Sequence, residues 1–535
     1  MAATTEAIAL PAAESSAEAI VSPAPAKSSY SQILKSSALV GGSQVMNIAI
    51  GIGRTKAMAI LLGPSGFGLF GLYGSIANLT QSVGGMGINS SGVRQIANAA
   101  GSSDTKVIAK TAAVLRRTSV VLGLLGAALL LTFSRAVSKV TFGTADRTAA
   151  ICLLSAAVFF NLVSGGQGAL IQGMRRISDL AKMNVLGALF GACAAIPLVY
   201  FFGQRGVVPS LVSVGGMTIL TSWWYSRKIN IERTTVSFLE VRQEASALLK
   251  LGSAFMASSL LTMGVAYAVR AMIMRTLGFA ATGLYQAAWT LGGLYVGFIL
   301  QAMGADFYPR LTGSINDHPV SNRLVNEQTL VGLLIAGPGV LGTLTFAPLV
   351  ITLLYSAKFG GAVAILRWIC LGATLQVVTW PLGFIIVAKG NQKIFFLAEF
   401  AWTVVAIALA WICLKEYGLE GAGIAFFGSY IFHGFLTYWI ARWLTGFTWS
   451  TDAKKKGLFL LSLIGVIFVA FYFLPIIWAA VLGIVATLVS GIYSARVLVS
   501  LVSIDRLPRQ IRKLMILLRI ADVGQVAAAQ VGQTY

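Results

Sequence analysis

Stretches of more than twenty residues without an Asp, Glu, Lys or Arg include Thr148–Ile171, Met183–Gln204, Gly206–Ser226, Thr276–Ala305, Gln328–Ala357 and Gly421–Ala441. About 18 apolar residues suffice to cross a bilayer as a helix. Backbone at that depth must satisfy its own hydrogen bonds, so runs of this kind fold as helices. Gly457–Ala495 is long enough for two more, and Pro475 stands where a tight turn divides them. The remaining sequence leaves no room for a soluble domain. Hydrophobic residues make up 57%, charged residues 11%, and the mean hydropathy is +0.80. A soluble domain carries roughly twice that charge fraction.

The pattern predicts an all-α polytopic membrane protein with fourteen transmembrane helices. They fall at 34–62, 65–88, 107–134, 148–171, 180–203, 206–226, 246–275, 279–304, 328–354, 362–387, 393–415, 421–442, 457–474 and 476–500. Residues 1–30 are rich in Ala, Ser, Pro and Glu, with Glu6, Glu14 and Glu18 where a signal peptide would be basic. They read as a disordered cytoplasmic tail. The net charge is +22. Of the 40 Lys and Arg, 29 fall on one side of the predicted spans, 7 on the other and 4 inside them. This asymmetry assigns both termini to the cytoplasm. No basic-aromatic patch lies outside the apolar runs, so nucleic acid is not an expected partner. Residues 503–520 form an amphipathic helix, with Leu507, Ile511, Leu514, Met515 and Leu518 on one face and Arg506, Arg509, Arg512 and Lys513 on the other. Such a helix lies on anionic membrane lipids.

A repeat is visible at an offset of 215 residues. Ile33-Leu34-Lys35 lines up with Leu248-Leu249-Lys250, Leu62-Gly63 with Leu277-Gly278, and Gly68-Leu69-Phe70 with Gly283-Leu284-Tyr285. The offset covers six helices, so the copies share one orientation. Parallel repeats of this kind are a transporter architecture. They divide the chain into an N-lobe at 31–230, a C-lobe at 246–442 and an added helix hairpin at 457–500.

Arg54, Lys56, Arg270 and Arg275 are the four basic residues inside spans. A charge there is costly unless it meets a partner, a wet cavity or the interface. Counted from Gly63 and Gly278 at about 1.5 Å per residue, Arg54 and Arg270 lie roughly 12–14 Å deep, near the midplane. Arg270 aligns with Thr55, next to Arg54. The pair either bonds to an acid or carbonyl, or lines a shared basic cavity that selects anions. No acid in the same helices favours the cavity. Arg275, three residues from its helix end, reads as snorkelling. Polar residues that could line the cavity are Asn47, Asn78, Gln81, Gln286 and Gln376, although interhelical hydrogen bonds are their default role. Tyr73, Tyr285, Trp289 and Trp380 could stack on sugars, although packing is commoner. Glu399 is a candidate for ion coupling, with an interfacial or ion-paired role as the plainer alternative. Gly187/Gly191 and Gly293/Gly297 form GxxxG pairs that suit close helix approach. Cys152, Cys193, Cys370 and Cys413 show no CxxC spacing, and His318 and His433 are far apart. No metal or cofactor is expected.

Lys56-Ala57-Met58-Ala59-Ile60-Leu61-Leu62-Gly63-Pro64-Ser65-Gly66-Phe67-Gly68 resembles the first-helix exit of Wzx-type flippases for lipid-linked oligosaccharides, members of the MOP exporter superfamily. Gly87-Ile88 followed by Gly92-Val93-Arg94-Gln95-Ile96-Ala97 is similar to the next signature of that family. The resemblance implies two six-helix lobes in a V around a basic cavity. It implies alternating access that carries an undecaprenyl-diphosphate-linked oligosaccharide from the cytoplasmic to the periplasmic leaflet of a bacterial inner membrane. It carries over Arg54, Lys56 and Arg94 as residues for the anionic headgroup, beside Arg270 from the repeat. It also implies polysaccharide polymerase and chain-length proteins as partners. Two other functions compete. A cation-coupled multidrug exporter of the same superfamily would want an acidic cavity, and cations are repelled by the basic residues here. A polysaccharide polymerase or ligase would need a sizeable outer loop, and the longest outer segment, 135–147, is short and holds no His or Glu.

Overall fold

The computed structural model describes residues 27–102, 104–229, 231 and 238–501. Fourteen α-helices carry them, with two short 3-10 turns and no strand among the described residues. They are α1 (Lys27–Gly85), α2 (Ile88–Gly101), α3 (Thr105–Phe142), α4 (Thr148–Gly173), α5 (Ile177–Phe202), α6 (Val207–Ser226) and α7 (Phe238–Ser314). The second half of the chain adds α8 (His318–Thr345), α9 (Ala347–Leu354), α10 (Ala362–Ala388), α11 (Gln392–Tyr417), α12 (Glu420–Thr445), α13 (Thr451–Phe473) and α14 (Ile476–Leu501). The tail at 1–26 and the amphipathic segment at 503–520 lie outside the described residues.

Eleven helical stretches are long and apolar enough to cross a membrane. Three of them, Gly42–Gly85, Ile177–Ser226 and Ser259–Gln301, run 44, 50 and 43 residues, enough for two crossings each at about 20 residues per crossing. The described residues therefore have length enough for fourteen crossings, the number the sequence predicts. Two of these doublings are breaks inside α1 and α7. Gly63 has φ 62° and ψ −176°, and Gly278 has φ 85° and ψ −175°, a region open essentially to glycine alone. The first and second predicted spans are thus the two arms of α1, and the seventh and eighth are the arms of α7.

The breaks sit against each other. A methyl group added at Gly68 would overlap the Phe279 carbonyl, and one at Gly283 would overlap the Pro64 carbonyl. The residues matched by the repeat are therefore the residues that touch. Around them α1 packs on α3, α4, α5 and α6, while α7 packs on α8, α10 and α11. α13 and α14 pack on each other and on α8, and α13 also touches α10. Lipid offers no hydrophobic gain between helices, so close approach of small residues holds such contacts. α1 crosses α3 at Gly84, where an added methyl would lie 2.8 Å from the Gly126 Cα. Gly187 does the same for α5 and α6, at 3.0 Å from Thr221 Oγ1.

Several expectations need correction. Residues 88–101, left between the second and third predicted spans, form a separate helix, α2, set off by positive φ at Met86 and Gly87. α2 packs on α3, α4 and α7. The ninth predicted span begins ten residues earlier than expected, at His318, where Asp317 caps it by accepting from Val320 N. It ends at Thr345, and 347–354 form the separate α9. α3 continues to Phe142, so the outer segment 135–147 is mostly helical. Gly293 and Gly297 have no neighbour within 4 Å of an added methyl, so they do not join helices.

Candidate functional site

A cavity of about 370 Å³ opens where the second arm of α1 meets α7, α10, α11 and α12. α1 contributes only Ser75 and Asn78. The remaining wall includes Arg270, Tyr285 and Trp289 from α7, Gln376 from α10, Trp402 from α11 and Tyr430 from α12. Gly293 and Gly297 also line it, which is the use their missing side chains serve.

Arg270 is 5% exposed. Its Nε donates to Gln286 Oε1 at 2.7 Å and its Nη1 to the Ala266 carbonyl at 2.7 Å. Its guanidinium carbon lies 5.7 Å from the centres of both the Tyr285 and Trp289 rings. Gln286 is itself held, its Nε2 donating to Thr290 Oγ1 at 3.0 Å. Gln286 reaches Arg270 across the break at Gly278, because the two arms of α7 lie side by side there. Opposite it, Gly71 leaves the space: a methyl there would come within 2.7 Å of Gln286 Oε1. No carboxylate pairs with Arg270 among the described residues. Its charge is therefore oriented by neutral groups, with no acid beside it among the described residues.

The other expected residues are distributed differently. Arg54 is half-buried and does not line this cavity, and among the described residues it has no hydrogen-bond or ion-pair partner. Added methyls at its neighbours Gly51 and Gly53 would meet nothing within 4 Å. Asn47, on the same arm, has a buried Oδ1 without a partner. Lys56 and Gln81 are half-buried and Arg94 is exposed on α2, all outside the cavity lining. The structure thus joins Arg270, Asn78 and Gln376 on one cavity wall, with Gln286 holding Arg270 from outside the lining, and leaves Arg54, Lys56, Arg94, Asn47 and Gln81 apart from it. Of the expected sugar platforms, Tyr285 and Trp289 line the cavity, whereas Trp380 packs on Phe384 at 4.4 Å and Tyr73 on Phe142 at 5.7 Å. Glu399 is not isolated: its Oε1 lies 3.8 Å from His433 Nε2. Trp402 and Tyr430 were not anticipated, although aromatic residues with polar tips inside spans are a readable signal.

The two halves of the chain touch at opposite ends of α3. On the side of the glycine breaks, Thr141 and Tyr267 hydroxyls share a hydrogen bond of 2.6 Å, and Phe67 packs edge-on against Tyr355 and Phe359 at 5.4 and 5.7 Å. On the opposite side, Lys110 pairs with Glu244 at 3.0 Å.

An all-α bundle built around two kinked, repeat-related helices is the fold of the MOP-superfamily transporters. Lipid II flippase MurJ, in an inward closed conformation, superposes with a TM-score of 0.66 at 15% identity, covering 86% of this chain and 99% of that one. An inward-facing multidrug MATE transporter of the MOP superfamily gives 0.57 at 16% identity, covering 75% and 98%. In sequence, residues 57–364 match the family described as polysaccharide biosynthesis protein, and the chain belongs to that family. A Shigella flexneri protein named "Putative O-antigen transporter" is 25% identical over 390 residues, 71% of this chain and 90% of that protein. The lipid III flippase of Escherichia coli (strain K12) is 21% identical over 379 residues, 70% and 89%.

Proposed function

We propose that the protein is an alternating-access flippase that carries an undecaprenyl-diphosphate-linked oligosaccharide from the cytoplasmic to the periplasmic leaflet of a bacterial inner membrane. Surface polysaccharide assembly then follows, with polymerase and chain-length proteins downstream. The observation that carries this reading is Arg270: a buried guanidinium on a cavity wall, held by an amide and a carbonyl, with no acid to neutralise it. A diphosphate brings about two negative charges into a medium where charge is costly. Arg offers it a planar fork of donors in place of water. Tyr285, Trp289, Trp402 and Tyr430 beside it give sugar rings apolar faces and polar edges. Arg54, unpaired on the neighbouring arm of α1, would hand the headgroup towards or away from Arg270 as the lobes at 31–230 and 246–442 rock. Lys56 and Arg94 extend this basic route. The positive-inside asymmetry sets both termini in the cytoplasm, and reporter fusions after residues 445 and 505 should both read cytoplasmic.

The test is flipping of a lipid-diphosphate glycan in proteoliposomes. A hydrogen bond to a charged group is worth about 1.5–3 kcal/mol, so Arg270→Ala should slow flipping roughly 10- to 100-fold. Arg270→Lys should recover part of it, because Lys keeps the charge and loses the fork. Wild-type rates in Arg270→Ala would remove the anion cavity from the mechanism.

A further inference from the structure

A second cavity, of about 190 Å³, lies between α3, α4 and the end of α6, and it shares no residue with the cavity at Arg270. α3 gives it Arg116 and Ser119, α4 gives Gln167, and the last turn of α6 gives Trp223 and Ser226, with Arg227 just beyond. The ends of the helices place it at a membrane surface. α6 stops at Ser226, whereas α3 continues from Arg116 back to Thr105, about 16 Å farther at 1.5 Å per residue. Trp223 and Trp224, both exposed, stand where an aromatic belt is expected.

Two guanidiniums converge on this pocket, and no carboxylate lines it. Arg116 makes one hydrogen bond among the described residues, its Nη2 donating to the Ser226 carbonyl at 3.4 Å, longer than the usual range. Arg227 stacks on Trp223, its guanidinium carbon 4.4 Å from the ring centre. Asp179 pairs with Arg176 at 2.7 Å and Glu244 with Lys110 at 3.0 Å, so these acids serve other cations. The carbonyl end of α6 offers roughly half a negative charge, against two full positive ones. Gln167 Oε1 accepts from Ser222 Oγ at 2.5 Å, which leaves its amide N–H groups as donors. The hydroxyls of Ser119 and Ser226 donate to the Leu115 and Trp223 carbonyls, so they offer the pocket acceptor lone pairs. On the membrane side of the arginines the surface turns apolar: α3 exposes Val120, Val121, Leu124 and Leu125, and α6 exposes Leu220.

The structure assigns this pocket to the phosphodiester of an acidic phospholipid with an uncharged headgroup, its acyl chains lying on the apolar face of α3 and α6. Phosphate oxygens take charge-assisted hydrogen bonds from Arg116 and Arg227, and basic pockets between spans suit such headgroups. The apolar face beneath selects a lipid over free phosphate. A zwitterionic headgroup would bring its ammonium towards two cations and no acid. The hydroxyls of a glycerol headgroup instead find acceptors in Ser119 and Ser226. α3 and α6 each pack on α4, so the bound lipid ties the two outer helices together across it.

The probe is phosphatidylglycerol with a photoreactive diazirine in one acyl chain, doped into phosphatidylcholine nanodiscs that hold the full chain. Labelling should saturate and map to 120–125 and 220–224. Unlabelled phosphatidylglycerol should displace it, and inorganic phosphate should not. Arg116→Gln and Arg227→Gln should each weaken binding roughly tenfold, and lysine at both positions should recover part. The double glutamine variant should label no better than the wild-type protein does with a diazirine phosphatidylcholine. In pure phosphatidylcholine it should unfold at the wild-type temperature, whereas phosphatidylglycerol raises the midpoint of the wild-type protein alone. If the double variant does not fold, the single variants carry the comparison. Lys454→Gln with Lys455→Gln, exposed at the start of α13, should leave labelling unchanged; an equal loss there would reduce the effect to general charge attraction and overturn the pocket. Equal labelling by the phosphatidylcholine probe, or full labelling in the arginine variants, overturns it too. Displacement by inorganic phosphate, or by a polyprenyl diphosphate where phosphatidylglycerol fails, would give the pocket to another anion and overturn the assignment to phospholipid.

Discussion

In α7, Arg270 is held by Gln286 and flanked by Tyr285 and Trp289. At the positions 215 residues earlier in α1 stand Thr55, Gly71, Phe70 and Gly74. The backbone of the two arms is nearly the same, down to the dihedral angles of the breaking glycines. The chemistry is not. One copy carries a cation and the polar and aromatic groups that orient it; the other carries Thr55, Phe70 and two glycines. The difference is complementary as well as asymmetric, because the bare surface at Gly71 makes room for Gln286. A repeat can thus preserve a scaffold in both halves while concentrating the binding groups in one.

The comparison can be broken at three points. The largest effect is expected where the two copies must remain alike. Gly283→Ala puts a methyl into the Pro64 carbonyl, and backbone on backbone cannot yield cheaply. Export should be lost with the protein still in the membrane. Cysteines introduced near Gly68 should then label more readily than in the wild-type background, and unchanged labelling would show that this contact does not govern closure. A smaller effect is expected where the copies differ. Arg54→Ala should slow flipping several-fold less than Arg270→Ala, because Arg54 lies outside the cavity lining. Equal losses would place both arginines on one headgroup and erase the asymmetry. The smallest effect belongs to Gly71→Ala. Its methyl meets only the flexible end of Gln286, which can swing aside at the cost of loosening Arg270. Flipping should fall by a few-fold, and Gln286→Ala in the same background should add little, since the two share one mechanism.

Much of this scaffold is legible in the sequence because the bilayer imposes length and polarity on every span. The glycine breaks at Gly63 and Gly278 are legible because so few residues tolerate that backbone. α2 is not, since Ile88–Gly101 is short and its mixed composition reads as a connection. The holding of Arg270 by Gln286 is not legible either: sixteen residues separate them, and only the fold-back at Gly278 brings them together. Glu399 and His433 come from different helices, and spacing along the chain carries no trace of their meeting. Depth in the membrane identified Arg54 and Arg270 equally well, yet depth says nothing of the direction in which a helix turns each side chain.

The hairpin of α13 and α14 has one remaining consequence. It is fastened mainly to α8 and α10, by contacts that include Trp368 Nε1 donating to the Tyr472 hydroxyl at 2.8 Å and Arg367 stacked 3.8 Å over Phe471, and the Tyr472 hydroxyl donates in turn to Glu420 Oε2 on α12 at 3.1 Å. That half of the molecule therefore displaces more lipid and meets more viscous drag than the other. In any relative rotation the lighter half sweeps through the larger angle against the bilayer, and the half that carries Arg270 behaves as the stator.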